Sequence, residues 1–483
     1  MASASATPSV LDQKLSRSPG KIGMLVFGIV LVIGIAYAGS SLLHDLSFVH
    51  SDSVLPFVLL GIALLVALGF EFVNGFHDTA NAVATVIYTH SLEPHIAVVW
   101  SGFWNFLGVL ASSGLVAFAI VSLLPVELIL QVGSKAGFAM VFALLVAAIL
   151  WNLGTWWFGL PASSSHTLIG SVIGVGIANQ LMNGRSGTSG VDWSQAANIG
   201  KSLLLSPIVG FVCAGLLLLL AKALIKDPKL YAAPEGTEPP PFYIRCLLIL
   251  TCTGVSFFHG SNDGQKGMGL IMLILIGTVP TAYALNHAVT YQDSQDFIAV
   301  SEQAADVLNK YVSPNAAIGD AHEDVTAYIR DKNFTPNTML ALRTLISDIG
   351  NETALYKEMK NIPSDQLRNF RNDMYLCSEA IRLMQKSHNP NFTASENDVL
   401  ANYKKHIDHA TRFIPLWVKV AVAMALGLGT MIGWKRIVVT VGEKIGKSHL
   451  TYAQGAVAEI TAMATIGAAD GFGLPVKIGR AHV

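Results

Sequence analysis

Three carboxylates stand in stretches otherwise apolar enough for lipid: Glu71, Asp78 and Asp263. A carboxylate at membrane depth is costly unless it is paired, protonated or bound to a cation, so each is a candidate ion-coupling group. An aspartate capping a half-helix, or a glutamate at the interface, is the plainer alternative. Asp78 lies in Gly75-Phe76-His77-Asp78-Thr79-Ala80-Asn81-Ala82, and Asp263 in Gly260-Ser261-Asn262-Asp263-Gly264-Gln265-Lys266-Gly267. Asn81 and Asn262 bring neutral amides that donate or accept for a substrate or ion, or else pack helices. Lys266 suits an anionic substrate, or a pairing with Asp263. The run Ser163-Ser164-Ser165-His166-Thr167 follows Pro161 and can open a helix whose free N–H groups and hydroxyls face an oxyanion; a capping run without a ligand is the alternative. His77, His166 and His259 are proton relays or satisfied structural histidines. Trp151, Trp156 and Trp157 read as an interfacial belt.

The two polar stretches correspond. Gly75 matches Gly260, Asp78 matches Asp263, and Lys266 takes the position of Asn81. A second pair follows, Gly159-Leu160-Pro161 and Gly473-Leu474-Pro475. Asp78 precedes Pro161 by 83 residues and Asp263 precedes Pro475 by 212, which becomes 89 once the 123-residue segment 290–412 is set aside. Such repetition in a membrane chain marks a secondary transporter with its site where the repeats meet.

What must position these residues is a membrane body. Of 483 residues, 52% are hydrophobic and 13% charged, with mean hydropathy +0.51, too few charges for a water-facing surface. The formal net charge of -1 speaks against a nucleic-acid partner. The 4 cysteines form no CxxC, against zinc or a disulfide scaffold. No GxSxG, Walker A or HExxH pattern occurs, which argues against an enzyme.

The expected organisation is a disordered tail (1–21), a first membrane block with repeat 1 (22–225) and a cytoplasmic proline-rich linker (226–245). A second block opens (246–289), is interrupted by a soluble helical insert (290–412) and resumes (413–476). The insert holds 13 Lys+Arg and 17 Asp+Glu, 30 of the chain's 63 charged side chains. Its apolar spacing predicts helices over 297–311 and 338–386. Membrane runs are expected near 23–43, 54–73, 96–124, 137–160, 167–183, 202–225, 246–258, 267–289, 413–433 and 452–472. The shortness of 246–258 and the moderate polarity of 77–92 predict broken helices at the two motifs. Basic residues Lys222, Lys226, Lys229 and Arg245, with Lys435, Arg436, Lys444 and Lys447, favour the cytoplasm for their loops and so the outer face for the insert.

At these residues the chain resembles the inorganic phosphate transporter (PiT) family. The 76–82 and 259–267 stretches are similar to its duplicated GANDVANA-type signature, and 161–167 to its serine/threonine motif. The resemblance implies an all-α polytopic fold of two inverted repeats with broken helices around one soluble helical insert. It also implies a usually dimeric assembly in the bacterial inner membrane, importing phosphate with protons or sodium, in one branch as a neutral divalent metal–phosphate complex. No resident cofactor is implied. Carried over, Asp78, Asn81, Asn262, Asp263 and Gln265 would line the site, with Ser163, Ser164, Ser165 and Thr167 as hydroxyl donors. Rival readings are a permease for another oxyanion such as sulfate, a channel, or a membrane sensor signalling through 290–412.

The sequence departs from the family pattern twice. Phe76-His77 stands where Ala-Asn is usual, and the second serine/threonine motif expected after Val476 is absent. The stretch 477–483 reads like translated sequencing-adapter DNA, so a truncated reading frame is expected there.

Overall fold

The computed structural model describes residues 21–474, apart from 48, 50–53, 125, 132–133, 183–190, 192, 233, 235–237, 318 and 442–450; within helices the side chains of 21–24, 78, 127 and 131 are also outside the description. The expectations placed on most of the N-terminal tail and on 475–483 therefore lie outside the described residues.

The described residues form helices joined by loops, with no strand. In chain order the helices are α1 (Lys21–Leu46), α2 (Leu55–Tyr88), α3 (Pro94–Ala111), α4 (Leu115–Val121), α5 (Val126–Gln131), α6 (Lys135–Trp157), α7 (Ser164–Met182), α8 (Trp193–Leu224), α9 (Phe242–Thr278) and α10 (Pro280–Tyr283). They continue with α11 (Tyr291–Asn309), α12 (Ala321–Asp331), α13 (Thr338–Tyr356), α14 (Leu367–Ser387), α15 (Ala394–Thr411), α16 (Leu416–Val439) and α17 (Tyr452–Gly471). Seven of them, α1, α2, α3, α6, α8, α9 and α16, are long and apolar enough to cross a membrane. The runs expected at 167–183 and 452–472 do form helices, α7 and α17. Both fall outside that set, diluted by polar residues such as Ser164, His166 and Asn179 in one and Glu459 and Asp470 in the other.

Helix breaks occur, but not at the motifs. The 75–82 stretch lies inside the 34-residue α2 and the 260–267 stretch inside the 37-residue α9, which fuses the runs expected at 246–258 and 267–289. Several of their polar side chains find partners on neighbouring helices, His77 on α6, Thr79 on α16, and Ser261 and Gln265 on α17, in keeping with a backbone that does not unwind. The breaks fall at 112–114, where Gly114 takes φ +87° and splits the expected 96–124 run, and at 158–163, where Gly159 takes φ +67°.

The two motif helices cross their neighbours in the same way. A Cβ on Gly75 of α2 would stand 2.5 Å from the Leu426 carbonyl oxygen of α16, and one on Gly429 of α16 would stand 2.0 Å from the Phe72 oxygen of α2. In the other half, a Cβ on Gly260 of α9 would stand 2.1 Å from the Asn105 oxygen of α3, and one on Gly108 of α3 would stand 1.9 Å from the Phe257 oxygen of α9. Each motif helix thus crosses a helix of the opposite half, glycine against backbone and with the same three-residue spacing on both partners. The second landmark repeats as well. Gly159 and Gly473 take φ +67° and +65°, and Leu160 and Leu474 each donate their N–H to a carbonyl five residues back, Thr155 and Ala469. This is the six-to-one bond of a Schellman helix end.

Helices α11–α15 pack around their own core, with Phe297, Leu342, Ile346, Met374 and Tyr403 buried. Capping boxes start α11 (Thr290, Asp293) and α15 (Thr393, Glu396). The helical stretch expected over 338–386 consists of α13 and α14, α13 ending where Lys357 turns to φ +65°. The core also takes in Val126, Ala284, Leu285 and Val289, which seat these helices on the rest of the chain.

Candidate functional site

Helical spacing puts His259, Asp263 and Lys266 on one face of α9, at i, i+4 and i+7. Lys266 Nζ lies 2.5 Å from Asp263 Oδ1, and His259 Nε2 lies 3.4 Å from Asp263 Oδ2. All three side chains are buried. His259 is held from α3, its Nδ1 lying 2.8 Å from Asn105 Oδ1. Across the gap from α2 comes the fully buried Glu71, within electrostatic reach of Lys266 and Asp263 and accepting a 3.3 Å bond from Asn74 Nδ2. Gly267 makes the room, since a Cβ there would come 2.3 Å from Glu71 Cγ. Two carboxylates therefore stand near one lysine where α2 meets α9, Asp263 paired with it and Glu71 against Gly267 one residue on. Ionised together they leave a net negative charge in a place that cannot hold one, a charge that a proton or a small cation would neutralise.

A second cluster lies on the neighbouring face of α9. Asp470 of α17 accepts 2.7 Å from Ser261 Oγ and 2.6 Å from Gln265 Nε2. Gln265 also donates to the Ser261 carbonyl (2.7 Å), and its Oε1 accepts 2.9 Å from the N–H of Val116 at the start of α4. The Gln265 amide is thus occupied by protein on both ends. Asn262 Nδ2 donates 3.1 Å to the Leu474 carbonyl, tying the α9 motif to the second glycine landmark.

Of the residues singled out from sequence, Glu71, Asp263 and Lys266 meet in one cluster, with Asn262 and Gln265 beside it. Asp78 lies on α2 with its side chain outside the description, and Asn81 is buried one turn further on. Ser163, Ser164 and Ser165 are buried at the start of α7. Ser163 behaves as a cap: its Oγ accepts 3.3 Å from the His166 N–H and lies 2.8 Å from His166 Nδ1, while Thr167 Oγ1 donates 3.0 Å to the Ser163 carbonyl. This group reaches the α2 motif through α6, which packs on α7 and whose Asn152 carbonyl accepts from His77 Nε2 at 2.8 Å. Trp156 of the expected belt faces inward instead, donating 2.7 Å to the Gly433 carbonyl and packing on Phe76.

Sequence reasoning passed over Asp470, Asn105 and Glu459. Glu459 is fully buried on α17 and accepts from Thr251 Oγ1 of α9. The signal that drew attention to Glu71, an acid in an apolar run, applies equally to Glu459 and Asp470. Among the described residues no group of three or more His, Cys, Asp or Glu is gathered as a metal site.

Comparison with known proteins places these features in company. The phosphate transporter family matches residues 74–478. The low-affinity inorganic phosphate transporter PitA of Escherichia coli (strain K12) is 42% identical over 437 residues, covering 87% of each chain. PitB of the same organism is 40% identical over 437 residues, again covering 87% of each chain. A low-affinity inorganic phosphate transporter of Buchnera aphidicola (subsp. Acyrthosiphon pisum) is 39% identical over 432 residues, covering 87% of this chain and 86% of its own. A solved sodium-dependent phosphate transporter aligns over 88% of this chain and 87% of its own, with a TM-score of 0.44 and 18% identity.

Proposed function

This chain belongs to the phosphate transporter family, and from that premise we propose that it imports inorganic phosphate by symport with protons or sodium, through alternating access between two inverted repeats. The observation that carries the reading is the buried Glu71–Lys266–Asp263 cluster at the crossing of the two halves. Its surplus carboxylate gives a coupling cation a reason to bind, and Lys266 gives an anion one. Binding of either makes the other less costly in a dry site, which is what couples their movement.

In this reading Asp263, Asp78 and Glu71 hold the coupling ion. Asn81, Asn262, Gln265 and Lys266 meet the phosphate from the motif helices, and Ser163, Ser164, Ser165 and Thr167 meet it from the start of α7. Gln265 would exchange its bond to Asp470 for one to phosphate as the repeats move. Travel as a neutral divalent metal–phosphate complex suits a site with a single lysine, because the metal cancels charge that the protein does not. The metal is then cargo. Location in a bacterial inner membrane, a homodimeric assembly and the division into blocks at 22–225, 226–245, 246–289, 290–412 and 413–476 belong to the same proposal.

The test is competition in uptake. Labelled phosphate entering cells or proteoliposomes that carry this protein is expected to be displaced by arsenate, which shares its charge and tetrahedral shape, and not by sulfate. Displacement by sulfate at equal concentration would favour a general oxyanion permease.

A further inference from the structure

The corner that leads into the serine run is clamped by a cation from the other half of the chain. A helix leaves its last four carbonyls without partners inside it. At the end of α6 the Gly154 carbonyl accepts 3.2 Å from the Phe158 N–H, that of Thr155 2.8 Å from Leu160, and that of Trp156 2.9 Å from Gly159. The fourth, Trp157, is met by Arg436 of α16, whose Nη1 donates to it. The same guanidinium stands over both neighbouring indoles, its carbon 4.8 Å from the Trp157 ring centroid and 5.1 Å from that of Trp156. One planar cation thus makes a charge-assisted hydrogen bond and two cation–π contacts, at the helix end where the dipole favours positive charge. Thr440 closes the other side of the corner, since a Cβ on Gly159 would stand 3.2 Å from its Oγ1. The clamp also reaches α2. Trp156 packs on Phe76 with ring centroids 5.4 Å apart, and His77 bonds the Asn152 carbonyl of the same α6.

In the matching corner at the end of α17 a leucine stands in this place. Arg436 lies seven residues after the crossing glycine Gly429, and Leu115 lies seven after Gly108. A Cβ on Gly473 would stand 3.3 Å from the Leu115 Cβ, and Leu474 donates to Ala469 as Leu160 does to Thr155. The turn forms with leucine there, so the corner by itself does not call for an arginine. What the α6 corner carries is the run Ser163-Ser164-Ser165-His166-Thr167, which starts α7 with Ser163 Oγ accepting from the His166 N–H. We propose that Arg436 is a positioning residue for phosphate: by fixing the end of α6 against α16, it sets where the Ser163–Thr167 hydroxyls stand relative to the α2 motif. It touches no substrate itself. The proposal rests on the phosphate reading above and adds to it that α2 and α7 are held in register from α16.

The test uses the full chain as wild type, Arg436→Gln, Arg436→Lys and Trp157→Leu. Labelled phosphate uptake into proteoliposomes, normalised to inserted protein, gives the half-maximal concentration and the maximal rate. Hydrogen–deuterium exchange of the purified protein in detergent reads the opening of 158–167 without reference to transport. Arg436→Gln is expected to raise the half-maximal phosphate concentration about tenfold while the maximal rate stays within about twofold, and to speed exchange at 158–167 but not in α11–α15. Lysine keeps the charge and a donor but not the planar fork, and should recover part of both effects. Trp157→Leu removes one stacked ring and leaves the carbonyl, so its rise should be smaller. A lower maximal rate at an unchanged half-maximal concentration would make the arginine merely structural and overturn the proposal. Exchange at 158–167 equal to wild type would overturn it too, by removing the clamp. Should Arg436→Gln fail to fold, Arg436→Lys carries the same two readouts. A wild type that takes up no phosphate would remove the phosphate reading, and this role with it, whatever the exchange shows.

Discussion

Lys266 Nζ lies 2.5 Å from Asp263 Oδ1, with the two side chains only 1% and 5% exposed. The pair is local, three residues apart on one helix, so it adds nothing to tertiary structure. What it does is give a carboxylate at membrane depth a paired cation, close to Glu71. Removing either partner strands the other. Lys266→Met is expected to abolish uptake and to lower unfolding stability by about 3–5 kcal/mol. Adding Asp263→Asn to Lys266→Met should restore most of the stability and none of the uptake. Chemical unfolding in detergent and vesicle uptake read the two effects separately, and a Lys266→Met protein as stable as wild type would contradict the pairing.

The glycine crossings predict a sharp positional pattern. At Gly108 and Gly429 an added Cβ would meet backbone at 1.9 and 2.0 Å, and backbone cannot step aside as a side chain can. Alanine at either position should part α3 from α9 or α2 from α16, costing about 1–3 kcal/mol or more. Gly215 on α8 has nothing within 4 Å of such a Cβ, and alanine there should be neutral or slightly stabilising. Thermal unfolding of the three variants checks this; equal effects at 108 and 215 would refute the close crossing.

Asp470 holds Gln265 and Ser261 at once. Asp470→Ala should cost about 1–3 kcal/mol, because two buried donors lose their acceptor. It should also raise the phosphate concentration needed for half-maximal uptake, because Gln265 is no longer oriented. Ser261→Ala leaves the Gln265–Asp470 bond in place and should be milder on both measures. Should Asp470→Ala match wild type in uptake, Asp470 has no part in setting Gln265.

In the insert, His322 Nδ1 lies 2.6 Å from Asp373 Oδ1, and that bond raises the histidine pKa above its ordinary value. The folded state therefore favours the charged imidazolium. Its contribution is complete below the unfolded pKa of ~6.5 and is lost as pH rises through the raised folded value. The insert of the full chain should unfold more easily as pH climbs through that window, and His322→Gln should flatten the trend. Melting curves across pH decide it; an identical slope in His322→Gln would remove the pair from the explanation.

Much of this arrangement was legible in the sequence because it rests on one-dimensional signals. Acids in apolar runs, matched glycines and the matched spacing of two landmarks located Asp263, Glu71 and both helix ends without coordinates. The continuity of α2 and α9 was not legible. Whether a polar stretch unwinds depends on partners such as Asn105 and Asp470, which lie 154 or more residues away. The reciprocal crossing was hidden for the same reason, since Gly108 and Gly429 carry no local mark to distinguish them from other glycines in apolar helices. Trp156 misled because an aromatic residue near a helix end is usually interfacial, and only the Gly433 carbonyl on α16 shows why this one turns inward.

The central claim is that the Glu71–Lys266–Asp263 cluster couples a cation to phosphate. Labelled phosphate uptake into proteoliposomes, with a pH or a sodium gradient imposed in turn, tests it most directly in wild type and Asp263→Asn. The account predicts concentrative uptake by wild type under one of the gradients, and none by Asp263→Asn under either although it inserts normally. Gradient-driven accumulation by Asp263→Asn at the wild-type rate would contradict it.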